Sequence, residues 1–499
     1  MAAAEPQDSL ESYKHATLPL PDRYRRWHLY GAGLENVGKD GAPETLDLPE
    51  PGPDEILVRH DAVGICFSDI KIIALGPDHP RLQGRDLKTS PVVMGHEVAL
   101  TVVKPGANVA DTFTPGQRFI VQADVYYNGV NLAYGYALSG GMAQFGLVGP
   151  EVLRGDEGCY LLPIRDETGY AEAALVEPWA CVEAAYHWVE RTDEREGDVR
   201  FAAPPTPEEF EARCVGLPKN AQVFLDFDAP LSGPVKLDVG RIHYDLHLYV
   251  GPKPNGRSEI KPGGKALFVG AAGPMGQMHV QRALQLPNPP AVIVGTDRQA
   301  DRLQSLRERF GKLAEERGVA LHLFNIVEEE PDCAALAPEG FDDIVIMVPV
   351  VSVIEECFPL LGRDGVLNIF AGVARGTMAT IDVSDIVTKN VRIVGTTGST
   401  IEDMKHTRDV MESRQLDTGA SLAAVGGLNA FRDGLQAVKE GRFPGKTVIF
   451  PLVEDLPLTP LADLKTVRPK VYEKLKDGQF WTSAAEEELL REAAESVTK

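Results

Sequence analysis

The segment KALFVGAAGPMGQMHVQRAL, residues 265–284, constrains the fold more than any other part of this chain. An apolar run leads into a glycine turn and then into a helical pattern. It is followed by AVIVGTD (291–297), the helix-like stretch 298–318, and the strand-like runs DDIVIMVPV, GVLNIFAGV and VRIVGTT. Apolar strands alternating with helices predict a parallel sheet covered on both faces, a doubly wound α/β unit. A tight turn at Gly273 and Gly276 lets backbone N–H groups and a helix N-terminus meet a pyrophosphate. Asp297 closes the next strand, where a carboxylate can accept both ribose hydroxyls of NAD. The first glycine of the usual G-x-G-x-x-G is replaced by Ala271, with Gly270 one place earlier, so a turn that merely packs helix on strand is the competing reading. Asp297 favours NAD over NADP by repelling a 2′-phosphate, although Arg298 beside it is a residue type that binds one.

Residues 55–148 have a different character, with short strands punctuated by glycine and proline: EILVRHDAVGI, EVALTVVKPG, FIVQADVYY and AQFGLVG. This spacing predicts a β-rich, barrel-like unit. Its first strand runs into GICFSDIKI, which puts Cys66, Ser68 and Asp69 within four positions. MGHEVAL supplies His96 and Glu97, and LVEPWAC supplies Glu177. Catalytic zinc takes three protein ligands of these types and keeps one position open. Cys66 and His96 suit the first two places, and either Glu97 or Glu177 can complete the set. Ser68 is placed to touch a substrate hydroxyl, and Asp69 to orient the His96 imidazole. Each residue taken singly has a plain alternative: a buried small thiol, a solvated carboxylate, a helix cap beside Pro178.

The motifs GICFSD, GHE, PG…FTPGQRF, GGMAQF, EPWACVEAA and GAAGPMG occur in an order that resembles the zinc-dependent medium-chain dehydrogenase/reductase superfamily. The resemblance spans about 55–190 and 261–460 and is strongest to polyol, sorbitol-type dehydrogenases. GFDDIVIMVPV, LNIFAGVARG and VGTTGSTIEDM further resemble L-sorbose-1-phosphate reductase-like members. This resemblance implies a GroES-like catalytic domain, a Rossmann domain and one catalytic zinc held by Cys66, His96 and Glu97, with Glu177 as fourth or alternating ligand. It also implies that Ser68 relays the alcohol proton. Met275, Asp297, Arg302, Phe370, Ala371, Gly372, Thr396, Thr397 and Gly398 would line the cofactor site beside Gly273 and Gly276. The implied reaction moves a hydride between a secondary alcohol of a polyol, cyclitol, sugar or sugar phosphate and NAD(P). A zinc-free quinone- or enoyl-reductase-like enzyme and a non-catalytic NAD-binding scaffold are the alternatives.

Three departures from the family pattern stand out. The four close cysteines of a second, structural zinc have no counterpart in QADVYYNGVNLAYGYALSGG, and Phe67 replaces the usual glycine between Cys and Ser. Third, a segment of about 191–262 separates the two domains. Its charged, proline-rich start and its alternating runs QVFLDF, VKLDV and IHYDLHLYV predict a linker and a small antiparallel β subdomain. In the last run Ile242, Tyr244, Leu246, Leu248 and Val250 would share the buried face and His243 and His247 the polar one. This segment is expected to serve as an oligomer-contact arm or a rim over the site. The expected domains are therefore 1–190, 191–262, 263–398 and 399–499, with SAAEEELLREAAESV as a surface helix capped by Ser483.

A formal net charge of −23 disfavours nucleic acid and anionic membranes, which draw on clustered Lys and Arg. Six scattered cysteines argue against a disulfide scaffold. Nothing at the N-terminus matches a secretory signal, and no apolar run has membrane-spanning length. The expectation is a cytoplasmic homo-oligomer acting on a small molecule.

Overall fold

The computed structural model describes residues 9–329 and 331–497. The chain divides into two compact units, one of residues 1–180 and 399–499, the other of 181–398.

The first unit is built on an eight-stranded sheet. Strand Ile56–Ile65 pairs antiparallel with Glu97–Pro105, Phe145–Val148 and Lys446–Phe450, and Arg118–Val121 and Leu161–Pro163 extend the far side. Leu422–Gly427 runs parallel to Lys446–Phe450. Every residue of Ile56–Ile65 is buried, including Arg59, His60 and Asp61. Such groups must be paired. Arg59 donates to Asp61 at 2.7 Å, and Asp61 also accepts from Tyr13 at 2.7 Å and Thr101 at 2.6 Å. His60 meets the Ala143 carbonyl at 2.9 Å and the Tyr134 hydroxyl at 3.0 Å.

The helix Ser483–Val497 departs from expectation. Thr482, not Ser483, caps it, accepting from Ala485 N at 3.1 Å. One face of it is buried, with Ala485, Glu486, Leu489 and Leu490, and Ala484 is exposed. Glu486 accepts the N–H groups of Tyr170 and Ala171 at the start of helix Tyr170–Ala174. Burial pushes its carboxyl up to about 7 against the pull of those donors.

The second unit carries a nine-stranded sheet. Six strands take the order 320–325, 292–297, 265–269, 341–346, 361–369, 392–395, all parallel. In chain order this is 3-2-1-4-5-6, the doubly wound dinucleotide-binding arrangement. The 191–262 segment is paired differently from the expected antiparallel sheet. Strands Val199–Phe201, Gln222–Leu225 and Leu248–Val250 pair in parallel and continue the same sheet, with the one antiparallel junction at Tyr249 opposite Ile393. Val235–Asp238 forms a separate antiparallel pair with Met378–Ile381. Val223, Leu225 and Tyr249 share one core with Ile344, Leu367 and Ile393, so the apolar face is buried within its own unit.

The expected alternation in IHYDLHLYV is also replaced. Asp238 accepts from Arg241 N at 3.0 Å and starts helix Val239–Tyr244; Leu246, at φ +56°, follows its end, and strand Leu248–Val250 comes next. His243 and His247 are buried rather than solvated, and His247 lies 3.1 Å from the Pro218 carbonyl. Among the described residues no helix is long and apolar enough to cross a membrane.

Candidate functional site

In the first unit, Cys66 follows strand Ile56–Ile65 and is the N-cap of helix Phe67–Leu75. Asp69, in the first turn, accepts the Cys66 N–H at 2.9 Å, which fixes the strand-to-helix corner. His96 and Glu97 sit at the start of the neighbouring strand, with Glu97 opposite Gly64. Ligand atoms of Cys66, His96 and Glu97 all lie within 4.8 Å of one another.

Four further groups surround this trio. Ser68 Oγ is 2.9 Å from Cys66 Sγ. Asp69 Oδ1 is 3.5 Å from His96 Nδ1. Burial alone would lower the His96 pKa, but Tyr136, Asp69 and Cys66 together hold it well above the usual range. Glu177 is buried but lies outside the close trio. Burial pushes its carboxyl up to about 7, with His96 opposing and Glu97 adding to the rise.

Two participants were not legible in the sequence. Lys446 Nζ donates to Glu97 Oε1 at 2.5 Å and to the Ile65 carbonyl at 3.3 Å, with both side chains buried. Burial would depress this ammonium, but Glu97, Cys66 and Glu177 outweigh it and raise it above the ordinary lysine value. A lysine opening an otherwise apolar strand, KTVIF, was the available signal. The second is Gly64, where an added Cβ would fall 2.0 Å from Glu97 Oε2. The space left by that missing side chain is the space the carboxylate occupies.

The donor set fits a divalent transition metal. Glu97 Oε2 is buried without a hydrogen-bond partner, whereas Asp69 Oδ1 and His96 Nδ1 face each other at 3.5 Å. A thiolate, an imidazole and a carboxylate with one carboxylate oxygen uncommitted are the donor types of an open zinc-type site.

In the second unit, Gly273 is the N-cap of helix Pro274–Gln285, with Pro274 and Met275 in its first turn. A Cβ on Gly276 would fall 2.2 Å from the Gly270 carbonyl, so the turn can press against the helix only with glycine there. At Gly273 the nearest atom to an added Cβ is 3.9 Å away, leaving room beside the helix N-terminus. Asp297 ends strand Val292–Asp297; it accepts from Ala272 N at 3.1 Å, Arg298 N at 2.8 Å and Gln299 N at 3.1 Å. Arg302 lies one turn into helix Ala300–Glu316. Phe370, Ala371 and Gly372 follow strand Leu361–Ile369, and Thr396, Thr397 and Gly398 follow Arg392–Gly395. These groups gather at the carboxyl ends of parallel strands, where such sheets bind nucleotides. The Thr396 hydroxyl is buried without a partner, a polar group free to meet a cofactor.

A family model described as the alcohol dehydrogenase GroES-like domain matches residues 52–183. Mannitol-1-phosphate 5-dehydrogenase of Aliivibrio fischeri is 27% identical over 91% of this chain and 95% of its own length. L-sorbose 1-phosphate reductase of Klebsiella pneumoniae is 28% identical with the same coverage of both chains. Among solved structures, the cobalt- and zinc-bound thermostable alcohol dehydrogenase of Pyrobaculum aerophilum superposes with a TM-score of 0.54 at 17% identity, covering 86% of this chain and 100% of that one.

Proposed function

We propose, from its similarity to the polyol branch of the medium-chain dehydrogenase/reductase superfamily, that the chain is a zinc- and NAD-dependent dehydrogenase of a polyol, cyclitol, sugar or sugar phosphate. The observation that carries this reading is the convergence of Cys66, His96 and Glu97 within 4.8 Å, with Glu97 Oε2 buried and unpartnered.

Cys66, His96 and Glu97 would hold one zinc, with Glu177 as fourth or alternating ligand. When bound, zinc supplies Lewis-acid polarisation of the substrate oxygen, and NAD supplies the hydride acceptor. Ser68, beside the Cys66 sulfur, takes the substrate hydroxyl proton and passes it outward. Asp69 steadies the corner and the imidazole together, through Cys66 N and His96 Nδ1. Lys446 holds Glu97 through Oε1 and leaves Oε2 for the metal. At the other centre Gly273, Met275 and Gly276 would cradle the pyrophosphate and Asp297 the adenosine ribose.

Elemental analysis should find about one zinc per chain, and a panel of hexitols, pentitols and their phosphates should reveal turnover with NAD. Cys66→Ser should remove the metal and lower turnover by roughly 10³-fold or more, several kcal/mol of barrier, while NAD binding persists. Two tightly held zinc ions, or none with activity intact, would overturn the assignment.

A further inference from the structure

Beyond the metal ligands, a chain of aromatic contacts leads from the first unit's centre to a cationic edge that the reaction above does not use. The His96 ring lies 5.5 Å from the Tyr136 ring, and the His79 ring lies 5.5 Å from Tyr136 as well. The Arg81 guanidinium sits 5.0 Å from the same ring centroid. Tyr136 is buried, and Glu177 is among the charges that act on Arg81, so this edge stands next to the metal centre.

The Arg81 fork is half committed. Nη1 pairs with Asp124 Oδ1 at 2.8 Å, yet the side chain remains 39% exposed. Asp124 Oδ1 makes no hydrogen bond, so this is a charge contact that holds the guanidinium nearby and leaves its N–H groups available to a further acceptor. His79 is prepared in a similar way. Its Nδ1 accepts the Arg81 N–H at 3.3 Å, which places the ring proton on Nε2 as a donor. Arg85 donates to the Ala137 carbonyl at 2.8 Å and ties this loop to the segment carrying Tyr136. In a chain of net charge −23, an oriented cation beside the reacting centre is a built feature and not an average property of the surface.

We propose that Arg81 and His79 form an anion subsite that holds the phosphate of a phosphorylated polyol while its hydroxyl lies at Cys66, His96 and Glu97. This inference rests on the dehydrogenase reading and narrows its substrate class to phosphate esters. Charge-assisted hydrogen bonds from a planar fork suit a phosphate and give little to a neutral hydroxymethyl group.

The test compares hexitol phosphates with the corresponding free hexitols, using the zinc-loaded enzyme and NAD. The wild type should favour the ester in kcat/KM by about 100-fold, the worth of two charge-assisted hydrogen bonds. Arg81→Gln should narrow that preference at least tenfold with zinc content unchanged, and Arg81→Lys should recover part of it. Inorganic phosphate should compete with the free hexitol in the wild type, a readout that needs no variant to fold. Equal kcat/KM on ester and free hexitol, or an equal loss on both in Arg81→Gln, would overturn the subsite and leave the dehydrogenase reading standing. No turnover of either class by the zinc-loaded enzyme would overturn the dehydrogenase reading itself.

Discussion

In the proposed metal pocket, Glu97 Oε2 is buried without a partner, and Asp69 Oδ1 and His96 Nδ1 meet only at 3.5 Å, whereas at the nucleotide turn Asp297 already accepts three backbone N–H groups. The first centre is made of long charged side chains from three separated stretches, and the second of backbone amides and one carboxylate. A buried polar atom left unmatched costs about 1–3 kcal/mol, so the first arrangement is held against its own preference by the surrounding sheet. The second is satisfied before any ligand arrives. Geometry at the metal centre should therefore be fragile to small steric changes, and geometry at the turn should fail mainly when its acceptor is removed.

The largest break in this comparison should come from Gly64→Ala. The new methyl group meets Glu97 Oε2 at 2.0 Å, with Lys446 holding the other oxygen. We expect metal affinity to fall about 10–100-fold, read by competition with a chromogenic chelator, with NAD binding unchanged. Unaltered metal affinity would show that the carboxylate has freedom the packing denies it. A smaller effect is expected of Asp297→Ala. It should weaken NAD about tenfold and relax discrimination against NADP. It should also destabilise the ligand-free protein by about 0.5–1.5 kcal/mol, because the part-buried Ala272 N–H loses its acceptor while the exposed Arg298 and Gln299 N–H groups turn to water. If the wild type used NADP far better than NAD, the role assigned to Asp297 would be wrong.

The smallest effect concerns Glu486, which resembles Asp297 in accepting helix-start N–H groups but resembles the metal pocket in being fully buried. Its carboxyl titrates at about 7 in the folded chain against an ordinary value of 4.5. The folded state therefore binds this proton more tightly, and the associated stability is present below about 4.5 and is lost as pH rises through about 7. Denaturant unfolding between pH 5 and 8 should show this decline in the wild type and a flatter profile in Glu486→Gln. An unchanged profile would remove Glu486 as its source.

Much of this was legible because it is local. The strand, glycine turn, helix and terminal acid of the nucleotide unit follow one another within 265–297, and the GICFSD and GHE stretches announce ligand types directly. What escaped depends on pairing at a distance. Lys446 reaches Glu97 across 349 positions, and Gly64 gains its meaning from the residue opposite it on the next strand. The run IHYDLHLYV misled for another reason. A short alternation of apolar residues fits one helical turn followed by a three-residue strand as well as it fits a single strand, and the cap at Asp238 lies just before the pattern begins. The terminal helix looked exposed because Glu486 is charged by type, although its carboxyl serves the backbone of another helix.

The pairing of Lys446–Phe450 with Ile56–Ile65 also has a consequence in time. The nucleotide unit is one continuous stretch and has all of its strands once Gly398 has left the ribosome. The unit that carries the proposed metal ligands is interrupted by it in sequence and lacks its partner strand until nearly fifty more residues are made. Since domains fold as units during synthesis, the nascent chain must carry Cys66, His96 and Glu97 through the whole making of its neighbour before the ammonium that balances Glu97 exists. The first ligands translated belong to the last centre completed.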